Sequence, residues 1–422
     1  MIHTIVIVER VRSPLLTILT LGVLLAGDEP EPHWMTLNHA ARQAIESKDY
    51  AKLRATLEEL RPLLPGNPRI LYNMAAADAV LGHRQRALEE LLSLASAGLI
   101  YDLAADSDFS SLRDSAEYAA VLKKMEQNRA PVAGATHVQT LPERDMLPED
   151  IAYDPKKREF LIGSVTGSKI VRADGSVLAQ STWPIMALRI DEKRRILWAA
   201  TAWLPHCQTC RPDDKDKTAL LAFNLDSGAL LKRFDAPVAG MLGDMTIGRK
   251  GEIYASEGIH GAVLRLADGK YERLDQPGEF PSPQTPALSH DERTLYVPDY
   301  VRGIAAIDLK TRKVEWLQPA EGVILSGIDG LYVQGNSFIA VQNGTNPARV
   351  VRFSLDLQRQ EILEANTPGL GEPTHGTLVG DTFFFLANTG WGNYDDNGKR
   401  KPGTEPAISS IRKIDLSARI VP

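Results

Sequence analysis

Residues 245–274 read MTIGRKGEIYASEGIHGAVLRLADGKYERL. Short apolar runs alternate with turns built on Gly248, Gly251, Gly258, Gly261 and Asp268-Gly269. Such spacing predicts short antiparallel strands joined by tight turns. The same phrase returns along the chain. IAYDPKKREFLIGSVTGSKIVRADGSVLAQ (151–180) is one copy. RIDEKRRILWAAT (189–201) is completed, after an insertion, by ALLAFNLDSGALLKRF (219–234). PALSHDERTLYVPDYVRGIAAIDLKTRKVEWL (286–317) and LYVQGNSFIAVQNGTNPARVVRFSLDLQRQEIL (331–363) follow. TLVGDTFFFLANTGW (377–391), completed by ISSIRKIDL (408–416), is the sixth. Repeats of roughly 37 to 57 residues with four strands each predict propeller blades. One blade is a small sheet with two apolar faces, so the ring must close. The sixth copy lacks an outer strand, and THVQTLPER (136–144) is the expected donor.

The fold class read from the sequence is therefore mainly β, a six-bladed propeller over 138–418 preceded by a small α-helical module. The module spans 31–128. Apolar residues in AARQAIESKDYAKLRATLEELRPLL (40–64) recur at three and four, and Pro65-Gly66-Asn67-Pro68 ends the pattern. RILYNMAAADAVLG (69–82) and HRQRALEELLSLASAG (83–98) form a second pair. Ala75, Ala76, Ala79 and Ala87 allow close helix packing, with Gly82 at the turn. This stretch resembles the tetratricopeptide repeat over about one and a half repeats. DSDFSSLRDSAEYAAVLKKM (106–125) resembles a capping segment. The resemblance implies either a protein partner for the module or a plain structural cap. Residues 129–137, RAPVAGATH, read as a linker.

Residues 1–27 read as a signal peptide. Arg10 and Arg12 precede the apolar run Leu15–Leu25, and small residues follow. The run is shorter than the roughly 20 residues of a spanning helix. The expectation is an exported protein, periplasmic or extracellular; an uncleaved segment using Ile5 to Val8 as well would anchor it to the membrane. Net charge is −6 and no long basic stretch occurs, which argues against nucleic acid as a partner. HCQTC (206–210) holds both cysteines. Two Cys and one His fall short of a structural zinc set, and export favours a Cys207–Cys210 disulfide. NYDDNGKRKPGTE (393–405) departs from a calcium loop at Asn393 and Thr404 and reads as a surface hairpin. Nucleophile-elbow, Walker and His-Glu-x-x-His motifs are missing from the sequence.

The residue just ahead of each innermost strand points at the propeller axis. Aligning the repeats places Glu149, Met186, Gly243, Gln284, Asp329 and His375 there. Asp150, Ala187, Asp244, Thr285, Gly330 and Gly376 come next. Carboxylates, a carboxamide and an imidazole thus converge, a set that suits a hard divalent cation. LPEDIAYDP (147–155), SPQTPALSHDERTLYVPDY (282–300) and SGIDGLYVQGNSFIAV (326–341) resemble the senescence-marker-protein and gluconolactonase family of six-bladed propellers, over roughly 140–415. The resemblance implies one channel metal, calcium in the first place, with zinc, magnesium or manganese as alternatives. By position its ligands would be Glu149, Gln284 and Asp329. Asp329 would also be the general base. Gln284 and Gly243 stand where the family carries Asn. His375, in EPTHGTL, lies outside the family pattern and is the second candidate for proton transfer. Asp244, Met186 and Thr285 are the expected substrate contacts. The implied function is a metal-dependent hydrolase of a small lactone or ester. The alternative is a non-catalytic propeller that binds a ligand or a protein.

Overall fold

The computed structural model describes residues 31–417. The expected signal peptide, 1–27, lies outside them. Six antiparallel sheets follow one another along the chain, five of four strands and one of five. Blade 1 covers 148–180, blade 2 covers 185–235 and blade 3 covers 242–273. Blade 4 covers 287–316 and blade 5 covers 328–365. Blade 6 combines Gly376–Val379, Thr382–Ala387 and Ser410–Asp415 with an outer strand from far upstream, Ala135–Thr140. That outer strand pairs antiparallel with Ser410–Asp415, His137 opposite Arg412 and Thr140 opposite Ser410. The expected closure is therefore present.

Hydrophobic burial works between blades rather than within them. Ala152, Leu161 and Ile170 of blade 1 pack with Leu188, Leu197 and Phe223 of blade 2. Leu220 and Ala222 of blade 2 meet Met245, Ile253 and Leu264 of blade 3. Similar clusters join blades 3 and 4, 4 and 5, and 5 and 6. The last joins Leu386 and Ile411 of blade 6 to Ile151, Ile162 and Val171 of blade 1. Each fully buried Leu, Ile or Phe is stabilised by roughly 1.5–3 kcal/mol. A blade without its neighbour would lose most of that.

Residues 129–137 are not a free linker. Val132–Ala133 adds a fifth strand to blade 5, and the closing strand of blade 6 begins at Ala135. Unpaired sheet edges were available on both blades, and the incoming chain satisfies their backbone groups.

The helical module comprises α1 (His33–Glu46), α2 (Tyr50–Leu60), α3 (Pro68–Val80), α4 (Arg84–Ser96) and α5 (Ala116–Gln127). Asp49, Asn67 and Ser115 cap α2, α3 and α5 by accepting from backbone N–H groups inside the first turn. Ala75, Ala76, Ala79 and Ala87 are all buried in one cluster. The module is seated on blades 4 and 5. Asn67 Nδ2 donates to the Val301 carbonyl at 2.9 Å, and Leu325 N donates to the Gly66 carbonyl at 3.1 Å. Arg349, fully buried in blade 5, donates through Nη1 to the Ala97 carbonyl at the end of α4, at 2.8 Å. The guanidinium thus meets the negative end of the helix dipole. Val301 and Ile324 of the propeller enter the module's own cores. This docking occupies module surface that the sequence left open for a protein partner.

A chain starting at Leu141 lacks the closing strand. It should melt well below the full chain or aggregate. A chain starting at Pro131 keeps both added strands and should stay folded, with loss of the module's contacts only. Thermal denaturation of the two truncations checks this.

Candidate active site

The second-to-third strand connections and the starts of the first strands share one face of the ring. At that face, four first strands carry the same irregularity. Pairing shifts between Pro148 and Ile151, between Ile185 and Ala187, between Leu242 and Asp244, and between Ile328 and Gly330. A bulge of this kind leaves an extra residue unpaired and re-aims it. The extra positions include Glu149, Met186, Gly243 and Asp329, the residues that repeat alignment placed at the axis. In blade 4 the first strand starts late, at Ala287, and Gln284 and Thr285 precede it. In blade 6 His375 immediately precedes Gly376–Val379.

These residues form one buried cluster. Glu149, Asp244, Gln284, Thr285, Asp329 and His375 are between 1% and 4% exposed. His375 is the hub. Its Nδ1 lies 2.9 Å from the Glu149 carbonyl, so Nδ1 carries hydrogen and donates. Its Nε2 lies 2.7 Å from Asp244 Oδ1 and 3.7 Å from Asp329 Oδ1. Asp244 sits off the axis of a ring N–H, and Nε2 has no aligned hydrogen-bond acceptor. The contact with Asp244 is a close ion pair rather than a linear hydrogen bond. Burial opposes a charge on the ring, but Asp329 and Asp244 outweigh it and hold the imidazole well above its ordinary pKa.

Each carboxylate has its own support. Glu149 Oε2 accepts from Trp391 Nε1 at 2.6 Å. Burial raises the Glu149 carboxyl well above its ordinary value, with His375 opposing. Asp244 Oδ1 accepts from the Thr285 hydroxyl at 2.5 Å. Asp329 Oδ2 accepts from Asn343 Nδ2 at 2.6 Å, and Asn343 Oδ1 in turn accepts from Tyr300. Burial pushes the Asp329 carboxyl up to about 6 despite His375. Gln284 Nε2 donates to Ser282, which leaves its Oε1 buried without a partner. Glu372 lies beyond Asp329, and burial lifts its carboxyl to about 7.

Two expected positions take other roles. Met186 does not face the polar cluster. Its apolar side chain packs with Leu147, Leu204, Met241 and Trp391 in an apolar plug. Asp150 is a tie between blades: its carboxylate accepts from Leu188 N at 2.8 Å and pairs with Arg189 at 2.7 Å. Thr285 meets the cluster twice: its hydroxyl donates to Asp244, and its backbone N–H donates to the Asp329 carbonyl at 3.2 Å.

The three expected metal ligands line the channel, yet they do not meet as a ligand set. Glu149 is held by Trp391, Asp329 by Asn343, and Gln284 by Ser282. Among the described residues no three His, Cys, Asp or Glu side chains converge in a metal-holding arrangement.

Trp391 and Asn343 escaped the sequence reading. Both sit in connections between second and third strands, where insertions break the repeat alignment. Trp391 belongs to a long blade 6 strap, 388–409, that folds over the mouth beside the blade 2 strap, 203–217. His206 stacks edge-on against Trp391 at 5.0 Å and against Tyr394 at 5.6 Å. Gly398 lies against the Pro205 backbone, where a Cβ would not fit. The stretch 393–405 is thus a hairpin packed on its neighbour rather than a free surface loop. Cys207 and Cys210 are disulfide-bonded within the blade 2 strap.

No family model and no curated protein matches the chain. Among solved structures it is similar to a gluconolactonase from Xanthomonas campestris, 17% identical over 67% of this chain and 91% of that one, with a TM-score of 0.46. It is similar also to the calcium-binding protein regucalcin from Agrobacterium tumefaciens, 16% identical over 66% and 94%, TM-score 0.45. A third is virginiamycin B lyase from Staphylococcus aureus, 18% identical over 67% and 99%, TM-score 0.44. These likenesses concern the fold alone.

The raised Asp329 pKa has a measurable sign. The folded state keeps this proton where the unfolded chain, with a pKa of about 3.9, has lost it. The native carboxyl therefore costs stability as pH rises from about 4 to about 6. Asp329→Asn should gain in melting temperature relative to wild type across that interval. A difference that stays flat with pH would contradict the burial of an ionising carboxyl here.

Proposed function

We propose that the protein is an exported hydrolase of a small lactone or ester, with His375 as its proton-transfer group. One observation carries the reading: a buried imidazole has one nitrogen fixed by the Glu149 carbonyl and the other unaligned between Asp244 and Asp329. Proton exchange at this ring is confined to Nε2. A proton donor and a proton acceptor packed side by side in a water-poor site are what acid–base catalysis requires.

A water molecule attacks the substrate carbonyl carbon, and Asp329 takes its proton. The carbonyl–oxygen bond to the leaving alkoxide breaks, and that oxygen takes the proton on His375 Nε2. Transfer from Asp329 to the neighbouring ring restores the starting state. Asp244 holds the ring's charge, and the Thr285 hydroxyl orients Asp244. Asn343 orients Asp329. The apolar plug around Met186 and Trp391 excludes bulk water, which strengthens these interactions.

A second reading, a binding propeller without turnover, draws on the same closure. The cluster is nearly inaccessible, and Trp391 sits directly on Glu149. Export is supported by the apolar leader and by the disulfide, a bond characteristic of oxidising compartments.

A panel of lactones and esters separates the two. The purified wild type should turn over at least one class. His375→Asn and Asp329→Asn should each reduce kcat by roughly 100-fold or more while the protein stays folded. Full activity in either variant removes that residue from the mechanism. No turnover by wild type, with a ligand that nevertheless raises its melting temperature, establishes the binding reading.

A further inference from the structure

The first turn of α3 brings Arg69 to the junction of module and propeller. Asn67 caps this helix by accepting from the Arg69 backbone N–H at 3.0 Å, and it donates to the Val301 carbonyl at 2.9 Å. The helix is thereby seated beside Tyr300, the residue before Val301. Tyr300 is buried, and its ring lies so close to Gly344 that a Cβ there would not fit. Its hydroxyl donates to Asn343 Oδ1 at 3.0 Å, and Asn343 Nδ2 donates to Asp329 at 2.6 Å. The Arg69 guanidinium lies within electrostatic reach of the Tyr300 and Tyr101 phenols. Tyr101 in turn packs on Tyr72 of α3, with ring centroids 4.9 Å apart. The module thus supplies a cation to the rim of the channel, at the outer end of the Tyr300–Asn343–Asp329 chain.

Arg69 differs from its neighbours in having nothing to hold. Arg54 pairs with Asp78, Arg302 pairs with Glu279, and Arg349 donates to Gln342 and to the Ala97 carbonyl. The Arg69 side chain is half-buried and makes no hydrogen bond or ion pair among the described residues. Burial opposes its charge. A desolvated cation without a partner costs free energy, and an anion from outside would recover it. The guanidinium fork matches the planar geometry of a carboxylate or the oxygens of a phosphate. The surroundings discriminate between the two. Asp329 and Glu372 act on the same Tyr300 phenol, so acidic groups stand behind the single cation. They repel a phosphate group, with its charge of about −1.5 to −2, more than a carboxylate.

We propose that the ligand of this channel carries a carboxylate, and that Arg69, supplied by the helical module, binds it at the rim. With the hydrolase reading, on which this substrate class rests, the substrate is a lactone or ester that also bears a carboxylate. With the binding reading the ligand is a small carboxylic acid.

The test is calorimetric titration of the full chain with acetate, succinate and a carboxylated butyrolactone, each beside its neutral amide, and with inorganic phosphate. Wild type should bind at least one carboxylate about tenfold or more tighter than the matching amide, the scale of a charge-assisted hydrogen bond. Arg69→Gln should lose that preference. Arg69→Lys, which keeps the charge without the fork, should retain part of it. Equal binding of acid and amide by wild type overturns the proposal. So do an undiminished preference in Arg69→Gln, phosphate bound more tightly than every carboxylate, and a wild type that binds no carboxylate at millimolar concentration. If Arg69→Gln does not fold, Arg69→Lys and the wild-type comparison of acid with amide decide. The readout is binding, so a protein that hydrolyses nothing in the panel refutes the hydrolase without touching the role of Arg69.

Discussion

Closure of the ring is the constraint on which the rest depends. The strand Ala135–Thr140 is laid down before blade 1 and pairs with Ser410–Asp415 near the other end of the chain. Until it does, Leu386 and Ile411 have no blade 1 partners, and Ile151, Ile162 and Val171 lie open. Closure commits all six interblade clusters at once. It also gives the first strands a common axis. Glu149 and His375 are separated by more than two hundred residues in sequence, yet the ring places the His375 ring on the Glu149 carbonyl.

Polar groups at such an axis are costly unless each is engaged, because water is largely excluded. The structure meets this by tying nearly every acidic residue to a donor. Asp150 crosslinks blades 1 and 2, Thr285 bonds Asp244, Asn343 bonds Asp329, and Trp391 bonds Glu149. Gln284 Oε1 is buried without a hydrogen-bond partner, and His375 Nε2 is held by its ion pair with Asp244 rather than by an aligned hydrogen bond. The mouth is covered from two sides. The helical module rests over blades 4 and 5, and the disulfide-bearing strap of blade 2 meets the strap of blade 6. Access to the cluster therefore depends on how these covers pack, which links the module to the site without any need for an outside partner.

Much of this was legible from repeats. Alignment of the first strands brings Glu149, Asp329 and His375 together, because each stands at the start of a first strand; in blades 1 and 5 a bulge falls at that step, and in blade 6 His375 directly precedes the strand. The closing strand was legible because blade 6 visibly lacks one. The reading stopped where the repeat stops. Met186 has the right register but an apolar side chain, and it joins the plug instead of the polar cluster. Asp244, one step beyond a glycine, contributes the carboxylate that Gly243 cannot. Asn343 and Trp391 arrive on connections of irregular length, for which register gives no guide. Residues 129–137 read as a linker because two-residue and edge pairings leave no periodic pattern.

Sequence alone determined the number of blades, the position of the helices and the composition of the channel ring, since all three follow from periodicity and local turn chemistry. Only the tertiary structure decided what the ring does with its charges. That Asp244 and Asp329 meet the His375 imidazole while Glu149 is held by Trp391 depends on distances of a few ångströms between residues from different blades. No local pattern encodes those distances. They are set by ring closure, by the bulges that turn Glu149 and Asp329 inward, and by the carbonyl that holds His375 in their midst.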